Sequence, residues 1–392
     1  MSEINFDPVT LTQSLVKCAS VTPKDEGALK VVENHLSAIG CDCHPLTFSG
    51  NNSYEVKNLF ATIGNEGKHF AYAGHTDVVP VGNESSWKYP PFSAKIDEGK
   101  LYGRGSEDMK SSVACFISAA KRFVDKYKNI PGKISFIITG DEERDSVNGT
   151  PRILEWASKQ NYKFDHCLVG EPTSKNEVGD KVKIGRRGSV SFFFQVKGIQ
   201  GHTANSHLAE NSSHHLVNLL NNILEEPLDE GNENFLPTSV QIATIDIGNP
   251  VQNVIPELAK ATVNIRFNDM HSSDSLIKWI DNKIEKIFSK LENANCTYTY
   301  DATAESFLNK AGDLYNIISK SISDVTGRNS PPEQATDGGT SDARYIKNYC
   351  EVVELGLRNQ TLHKVDEFVF VEDIIKLENI YFRILENYFD VN

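Results

Sequence analysis

Across residues 58–169 short apolar runs alternate with amphipathic helical stretches, and this alternation restricts the architecture more than any other feature of the chain. The runs at 58–63, 69–73, 133–139 and 166–169 are four to seven residues long and read as buried strands. Between and around them the spacing predicts helices over 9–19, 27–39, 111–127 and 152–160. In 27–39, Leu29, Val32, Leu36 and Ile39 share one face ahead of Gly40. In 111–127, Val113, Phe116, Ile117, Ala120, Phe123 and Val124 form one apolar stripe. Such a succession builds an α/β, doubly wound and mostly parallel sheet that buries its strands under helices and collects functional groups on the loops at strand ends.

After residue 187 the texture changes. Val190, Phe192, Phe194 and Val196 alternate with polar or outward-facing positions, and further strands are predicted over 239–247 and 261–267, with helices over 213–225 and 273–291. From about residue 300 the α/β style resumes: a helix over 313–325, a glycine-rich loop, a strand over 352–355 and a helix over 371–388. The simplest organisation is one domain made of residues 1–187 and 300–392, into which a smaller α+β domain, 188–299, is inserted.

The charge balance of 40 Lys+Arg against 53 Asp+Glu, net −13, argues against nucleic acid as a partner, since no basic stripe interrupts the acidic whole. No run of about 18 apolar residues occurs, so no membrane span is expected. The opening Met1-Ser-Glu-Ile-Asn-Phe-Asp-Pro8 carries acids where an export signal carries Lys or Arg. The seven cysteines are odd in number and scattered. They read as reduced thiols, and the expected location is the cytoplasm.

Candidate chemistry gathers at predicted strand exits. His75 and Asp77 follow the run at 69–73, two residues apart, so that Asp77 is placed to hold one imidazole nitrogen while the other binds a metal. In Gly103-Arg-Gly-Ser-Glu-Asp-Met-Lys110, Asp108 precedes the long helix; capping that helix, worth about 1 kcal/mol, is its bland alternative. Asp141, Glu142 and Glu143 follow an apolar strand, a costly placement without a neutralising cation. Glu171 ends the next strand, and His363 lies in the returning segment. Spacing alone leaves open which of Glu142 and Glu143 ligates and which carries protons. Mixed imidazole and carboxylate ligation suits zinc, cobalt or manganese better than magnesium or calcium.

The ordered set His75-Thr-Asp77, Gly103 to Lys110, Asp141-Glu-Glu143, Gly170-Glu-Pro172, Gly185-Arg-Arg-Gly-Ser189, Gly201-His202 and Gly338-Gly-Thr-Ser-Asp342 resembles the di-zinc amidohydrolase and metallopeptidase family that includes aminoacylases and acetylornithine deacetylase. The resemblance runs over nearly the whole chain. It implies two Zn2+ ions, for which Co2+ may substitute, bridged by Asp108. His75 and Glu171 would complete one site, and Glu143 and His363 the other. Glu142 would be the general acid/base and Asp77 the orienter of His75.

Within the family the pattern is most similar to the branch that cleaves N-succinyl-LL-2,6-diaminopimelate to succinate and LL-2,6-diaminopimelate, a step towards lysine. The implied partner is therefore a small-molecule N-succinyl amino acid, with another N-acyl amino acid or a dipeptide as the alternative substrate. A binding protein on the same scaffold is the non-catalytic alternative. The substrate's carboxylates call for local cations, for which Arg186, Arg187 and Arg266 are candidates because guanidinium grips carboxylate bidentately. The resemblance adds Ser189, Asn253, Gly339, Thr340, Ser341 and Asn359 to the pocket. It also implies that the inserted domain is a lid and dimerisation unit whose His202 reaches the active site of the partner in a homodimer. Two departures bear on substrate choice: Ala204-Asn-Ser-His207 stands where Ala-Tyr-Pro-His is usual, and Leu357-Arg358 precedes Asn359.

Overall fold

The computed structural model describes residues 4–50, 52–309 and 312–391, so the first three residues of the acidic N-terminal segment lie outside the described residues. The chain divides into two compact units: one from Met1–Ile184, Asn309–Ala335 and Ser341–Asn392, the other from Gly185–Leu308 and Thr336–Thr340.

In the first unit eight strands form one sheet: β1 (Asp42–Gly50), β2 (Ser53–Gly64), β3 (Lys68–His75), β4 (Gly132–Thr139), β5 (His166–Val169), β6 (Lys181–Lys183), β7 (Glu333–Ala335) and β8 (Glu351–Glu354). Their spatial order is β1-β2-β4-β3-β5-β8-β6-β7. The central run β4-β3-β5-β8 is parallel throughout, whereas β1, β2 and the β8/β6 contact are antiparallel. Helices α1 (Pro8–Val16), α2 (Ala28–Ile39), α3 (Ser111–Tyr127), α4 (Thr150–Lys159), α5 (Asp313–Thr326) and α6 (Val371–Tyr388) accompany the sheet. The stripe on α3 is buried from Val113 to Phe123 and half-buried at Val124, and Phe116 stacks on Tyr72 of β3 with ring centroids 4.1 Å apart.

The register explains why strand ends matter here. His75 of β3 lies opposite Thr139 of β4, and Ala73 of β3 lies opposite Val169 of β5, so the three carboxyl ends finish almost level. The chains leaving them emerge side by side. Gly170, the first residue past β5, must lack a side chain, since a Cβ there would stand 2.1 Å from the Tyr72 hydroxyl.

At the opposite end of β3, His69 is buried, with Nδ1 2.8 Å from the Lys163 carbonyl and Nε2 2.7 Å from the Ser135 hydroxyl. Burial pushes the imidazole down to about 4 from its ordinary 6.5. Between those values the unfolded chain binds a proton that the folded chain refuses, so stability falls as the pH drops through this window. The full effect is on the order of 3 kcal/mol. Chemical denaturation at pH 7 and pH 4.5 should show a smaller acid loss in His69→Gln than in the wild type; equal losses would remove His69 from the account.

The second unit is built on an antiparallel sheet in the order Ser239–Asp246, Leu258–Phe267, Gly188–Lys197, Asn295–Ala304. One face carries Phe192, Phe194, Val263 and Ile265 into a core closed by Leu216, Leu219 and Ile223 of the helix Ser212–Leu224 and by Leu276 and Ile280 of the helix Ser273–Phe288. This unit runs to Leu308 and includes Asn295–Ala304, which pairs along Ser189–Lys197. It also takes in Thr336–Thr340, where the Thr336 hydroxyl donates to the Asn234 carbonyl at 2.5 Å and the Gly339 carbonyl accepts from Arg186 at 2.8 Å. Among the described residues no helix is long and apolar enough to cross a membrane, and all seven cysteines are free.

Candidate functional site

Four loops of the first unit meet above the level strand ends. His75 closes β3, Glu142 and Glu143 follow β4, and Glu171 follows β5. Asp108 comes from elsewhere, out of the segment that leads into α3, and does not cap that helix, whose N-terminal flank is Lys110 with no side-chain cap. His363 lies in the loop after β8, with φ +58°.

The geometry centres on Asp108. Its Oδ1 is 3.2 Å from His75 Nε2, and its Oδ2 is 3.3 Å from His363 Nε2. His363 Nε2 in turn lies 3.2 Å from Glu143 Oε2, and His75 Nε2 lies 3.8 Å from Glu171 Oε1. Two sets of potential ligand atoms lie within 4.8 Å of one another: those of His75, Asp108 and Glu143, and those of His75, Glu142 and Glu171.

Asp77 meets His75 with two of its oxygens. Nδ1 of His75 takes the Asp77 main-chain carbonyl at 2.9 Å, whereas the carboxylate stands 3.6 Å away. That carboxylate instead accepts the backbone N–H groups of Glu142 and Glu143, each at 3.2 Å, and the Thr22 hydroxyl at 2.7 Å. A donor pair from the turn after β4 captures the carboxylate, leaving the carbonyl one residue pair beyond His75 to orient the ring. Asp77 therefore fixes the turn that presents both glutamates as well as the imidazole that faces them.

Charges in this site are badly matched without a cation. Burial, then the neighbouring Glu171 charge, holds Glu142 well above the usual carboxylate range, and burial with Asp108 raises Glu143. Burial alone would lower His75 and raise Asp108, but the hydrogen bonds of Asp108 to His363 and His75, with the charges behind them, outweigh it, driving His75 up and Asp108 down. His363 rises to about 10 through its hydrogen bonds to Asp108 and Glu143. Four carboxylates and two imidazoles whose ligand atoms converge are a donor set that divalent cations fit, since buried anions in this number cost several kcal/mol each unless neutralised.

The other predicted residues fall into groups. In the second unit His202 is exposed and pairs with Val254 across a two-stranded ladder, next to Asn253, whose carbonyl accepts the Thr203 N–H at 3.0 Å. His202 Nδ1 accepts the Ala204 N–H. Ser189 and Arg266 face each other across neighbouring strands, bridged by Asn264, which accepts from Arg266 Nε at 3.0 Å and donates to the Ser189 hydroxyl at 3.5 Å. Arg186 reaches Gly339, beside Thr340, and Arg187 follows it directly.

In the first unit Asn359 is exposed, its N–H bound to the Ser174 carbonyl. Ser341 is fully buried, its hydroxyl donating to Glu354 at 2.7 Å. That hydroxyl is committed inside the protein, so its contribution to a pocket is through the backbone. Residues outside the assigned set also shape the site. Asp342 accepts from Thr150 at 2.6 Å and Ser146 at 3.3 Å, and Glu367 gathers the backbone around Asp108.

A family model described as peptidase family M20/M25/M40 matches residues 71–387. A succinyl-diaminopimelate desuccinylase from Parvibaculum lavamentivorans is 44% identical over 384 residues, covering 98% of this chain and 96% of its own. A protein of the same name from Ehrlichia canis is 44% identical over 388 residues, 99% of this chain and 100% of its own. Among solved structures, the M20 family metallo-carboxypeptidase Sso-CP2 from Sulfolobus solfataricus superposes with a TM-score of 0.77 at 16% identity, covering 98% of this chain and 99% of its own. The Bacillus subtilis YXEP protein, described as a dinuclear metal binding peptidase from the M20 family, gives 0.68 at 14% identity, with 97% of each chain covered.

Proposed function

The chain belongs to peptidase family M20/M25/M40, and from that membership we propose that it is a metal-dependent amidohydrolase that cleaves N-succinyl-LL-2,6-diaminopimelate to succinate and LL-2,6-diaminopimelate, a step of diaminopimelate and lysine biosynthesis. The observation that supports this most is the 44% identity to succinyl-diaminopimelate desuccinylases over nearly the full length of both chains. The convergence of His75, Asp108, Glu142, Glu143, Glu171 and His363 supports the chemistry.

We assign Asp108 as the ligand shared by two ions, with His75 and Glu171 completing one site and Glu143 and His363 the other. Zinc is the metal this donor set favours, with cobalt as a substitute. When bound, such a pair polarises an amide carbonyl and makes hydroxide available near neutral pH. Glu142 takes a proton from the attacking water and returns it to the departing amine nitrogen, the task for which a raised carboxyl pKa suits it. Asp77 keeps His75 and the Glu142 turn in register with one another.

Arg186, Arg187 and Arg266 are assigned to the substrate's carboxylates, with Ser189, Asn253, Gly339, Thr340, Ser341 and Asn359 as lining groups. His202 is assigned to the oxyanion in the active site of the partner subunit of a homodimer, located in the cytoplasm.

Succinate release from N-succinyl-LL-2,6-diaminopimelate, measured beside N-acetylornithine and a dipeptide, tests the reading. Strong preference for the succinyl substrate is expected. Activity should vanish on chelation and return with added Zn2+ or Co2+; preference for either other amide would reassign the substrate, and chelator-resistant turnover would overturn the metal assignment.

A further inference from the structure

Asp108 and His363 are 255 residues apart in sequence, and neither sits on a helix or strand that would hold it against the other. What joins their loops is a set of side chains outside the ligand set, the buried Arg104, Glu107 and Glu367 and the half-buried Thr361. The carboxylate of Glu367, 1% exposed, accepts three backbone donors of the Asp108 loop: Gly105 N–H at 3.0 Å, Glu107 N–H at 2.8 Å and Asp108 N–H at 3.2 Å. Gly105 has φ +84°, where glycine is at ease, and a Cβ would meet Val78 at 2.6 Å, so the loop is tightly specified.

Traffic also runs the other way. Arg104 pairs with Glu367 at 2.7 Å and donates to the carbonyls of Lys364 at 3.2 Å and His363 itself at 3.4 Å. Glu107, equally buried, accepts the Thr361 N–H at 2.8 Å and the Thr361 hydroxyl. The strand Phe368–Phe370, which follows Glu367, pairs with Lys100–Tyr102, which precedes the Asp108 loop, so both loops spring from one ladder.

We propose that Arg104, Glu107, Thr361 and Glu367 form a reciprocal clamp that sets the separation of Asp108 and His363, and so governs the affinity of the ion those two ligands share with Glu143. These are positioning residues, acting through the ligands they hold. The inference rests on the ligand assignment made above. Asp108 is assigned to both ions, whereas the grip on His363 concerns one only, so loss of the clamp bears on both affinities and most on the ion that His363 and Glu143 hold.

Titration of the metal-free, full-length protein with Co2+ alone tests this. Wild type should bind two ions. In Glu367→Gln, and in Thr361→Val, one of the two affinities should fall by about 10–100-fold, the magnitude typical when an outer partner of a ligand is lost, and the other, which shares Asp108, should fall by clearly less. In the same variants kcat at limiting metal should fall and recover with excess metal, and Thr361→Ser, which keeps the hydroxyl, should behave as wild type. A role confined to folding would lower thermal stability and leave the two affinities unsplit.

Equal shifts of both ions, or no shift, in a folded variant would overturn the clamp. If Glu367→Gln does not fold because Arg104 is stranded, Thr361→Val decides alone. Wild type that binds two ions but hydrolyses none of the amides would defeat the functional reading while the split in affinities still judged the clamp; fewer than two ions in wild type would overturn both.

Discussion

Glu142→Gln should lower kcat by about 10²–10⁴-fold, the range attributable to one general acid/base, while the protein keeps two metal equivalents. Glutamine matches glutamate in shape and leaves the backbone N–H that Asp77 accepts at 3.2 Å in place, so the turn after β4 survives. What disappears is the ability to carry a proton. The measurement matters because proximity alone is ambiguous: Glu142 lies in a set with His75 and Glu171, whose ligand atoms are all within 4.8 Å. Were Glu142 itself a ligand, metal content would fall with activity. Steady-state kinetics together with metal analysis of the same sample separates the two, and a variant that loses an ion in proportion to turnover would strip Glu142 of its proton-carrying role.

The sequence makes the centre of the fold readable because its signals are local. Helix 111–127 and strand 166–169 follow from stripes and short apolar runs that lie within a single element. Elements with one wet side or little apolar content left no such mark. Asp42–Gly50 is an edge strand that carries Pro45 and alternates only between half-buried and exposed residues. Asn295–Ala304 is mostly exposed, and its inward members Cys296 and Tyr298 are only half-buried, so its period of two is faint.

The site follows the same division. His75, the Glu142 and Glu143 pair and Glu171 are found by asking what leaves a buried strand, whereas Asp108 does not stand at a strand end at all. The reach of Glu367 to three N–H groups about 260 positions earlier could not be inferred from spacing, because its partner is a loop conformation and not a residue type. Asp77 shows a subtler limit: it lies beside His75, yet backbone donors from the turn after the neighbouring strand decide which of its oxygens the imidazole meets most closely.

Asp108→Asn should abolish two-ion binding and with it essentially all turnover. The carboxylate presents one oxygen to each imidazole, at 3.2 Å to His75 and 3.3 Å to His363, and an amide cannot offer two anionic oxygens in those directions. Metal-free and metal-loaded protein must be compared, because removing Asp108 also deprives His75 and His363 of a partner and so lowers the stability of the metal-free form. The informative quantity is the increment that metal adds. A ligand that binds only the folded state stabilises it by about 2.7 kcal/mol per site at a concentration 100 times its dissociation constant. Wild type should therefore gain about 5 kcal/mol from two such sites, read as a rise in denaturation midpoint, and Asp108→Asn should gain little or nothing under the same conditions. Glu142→Gln should keep the whole increment, which makes the two variants controls for each other: one loses chemistry with metal in place, the other loses the metal. A full increment in Asp108→Asn, or turnover within tenfold of wild type, would mean that the two sites do not share this carboxylate.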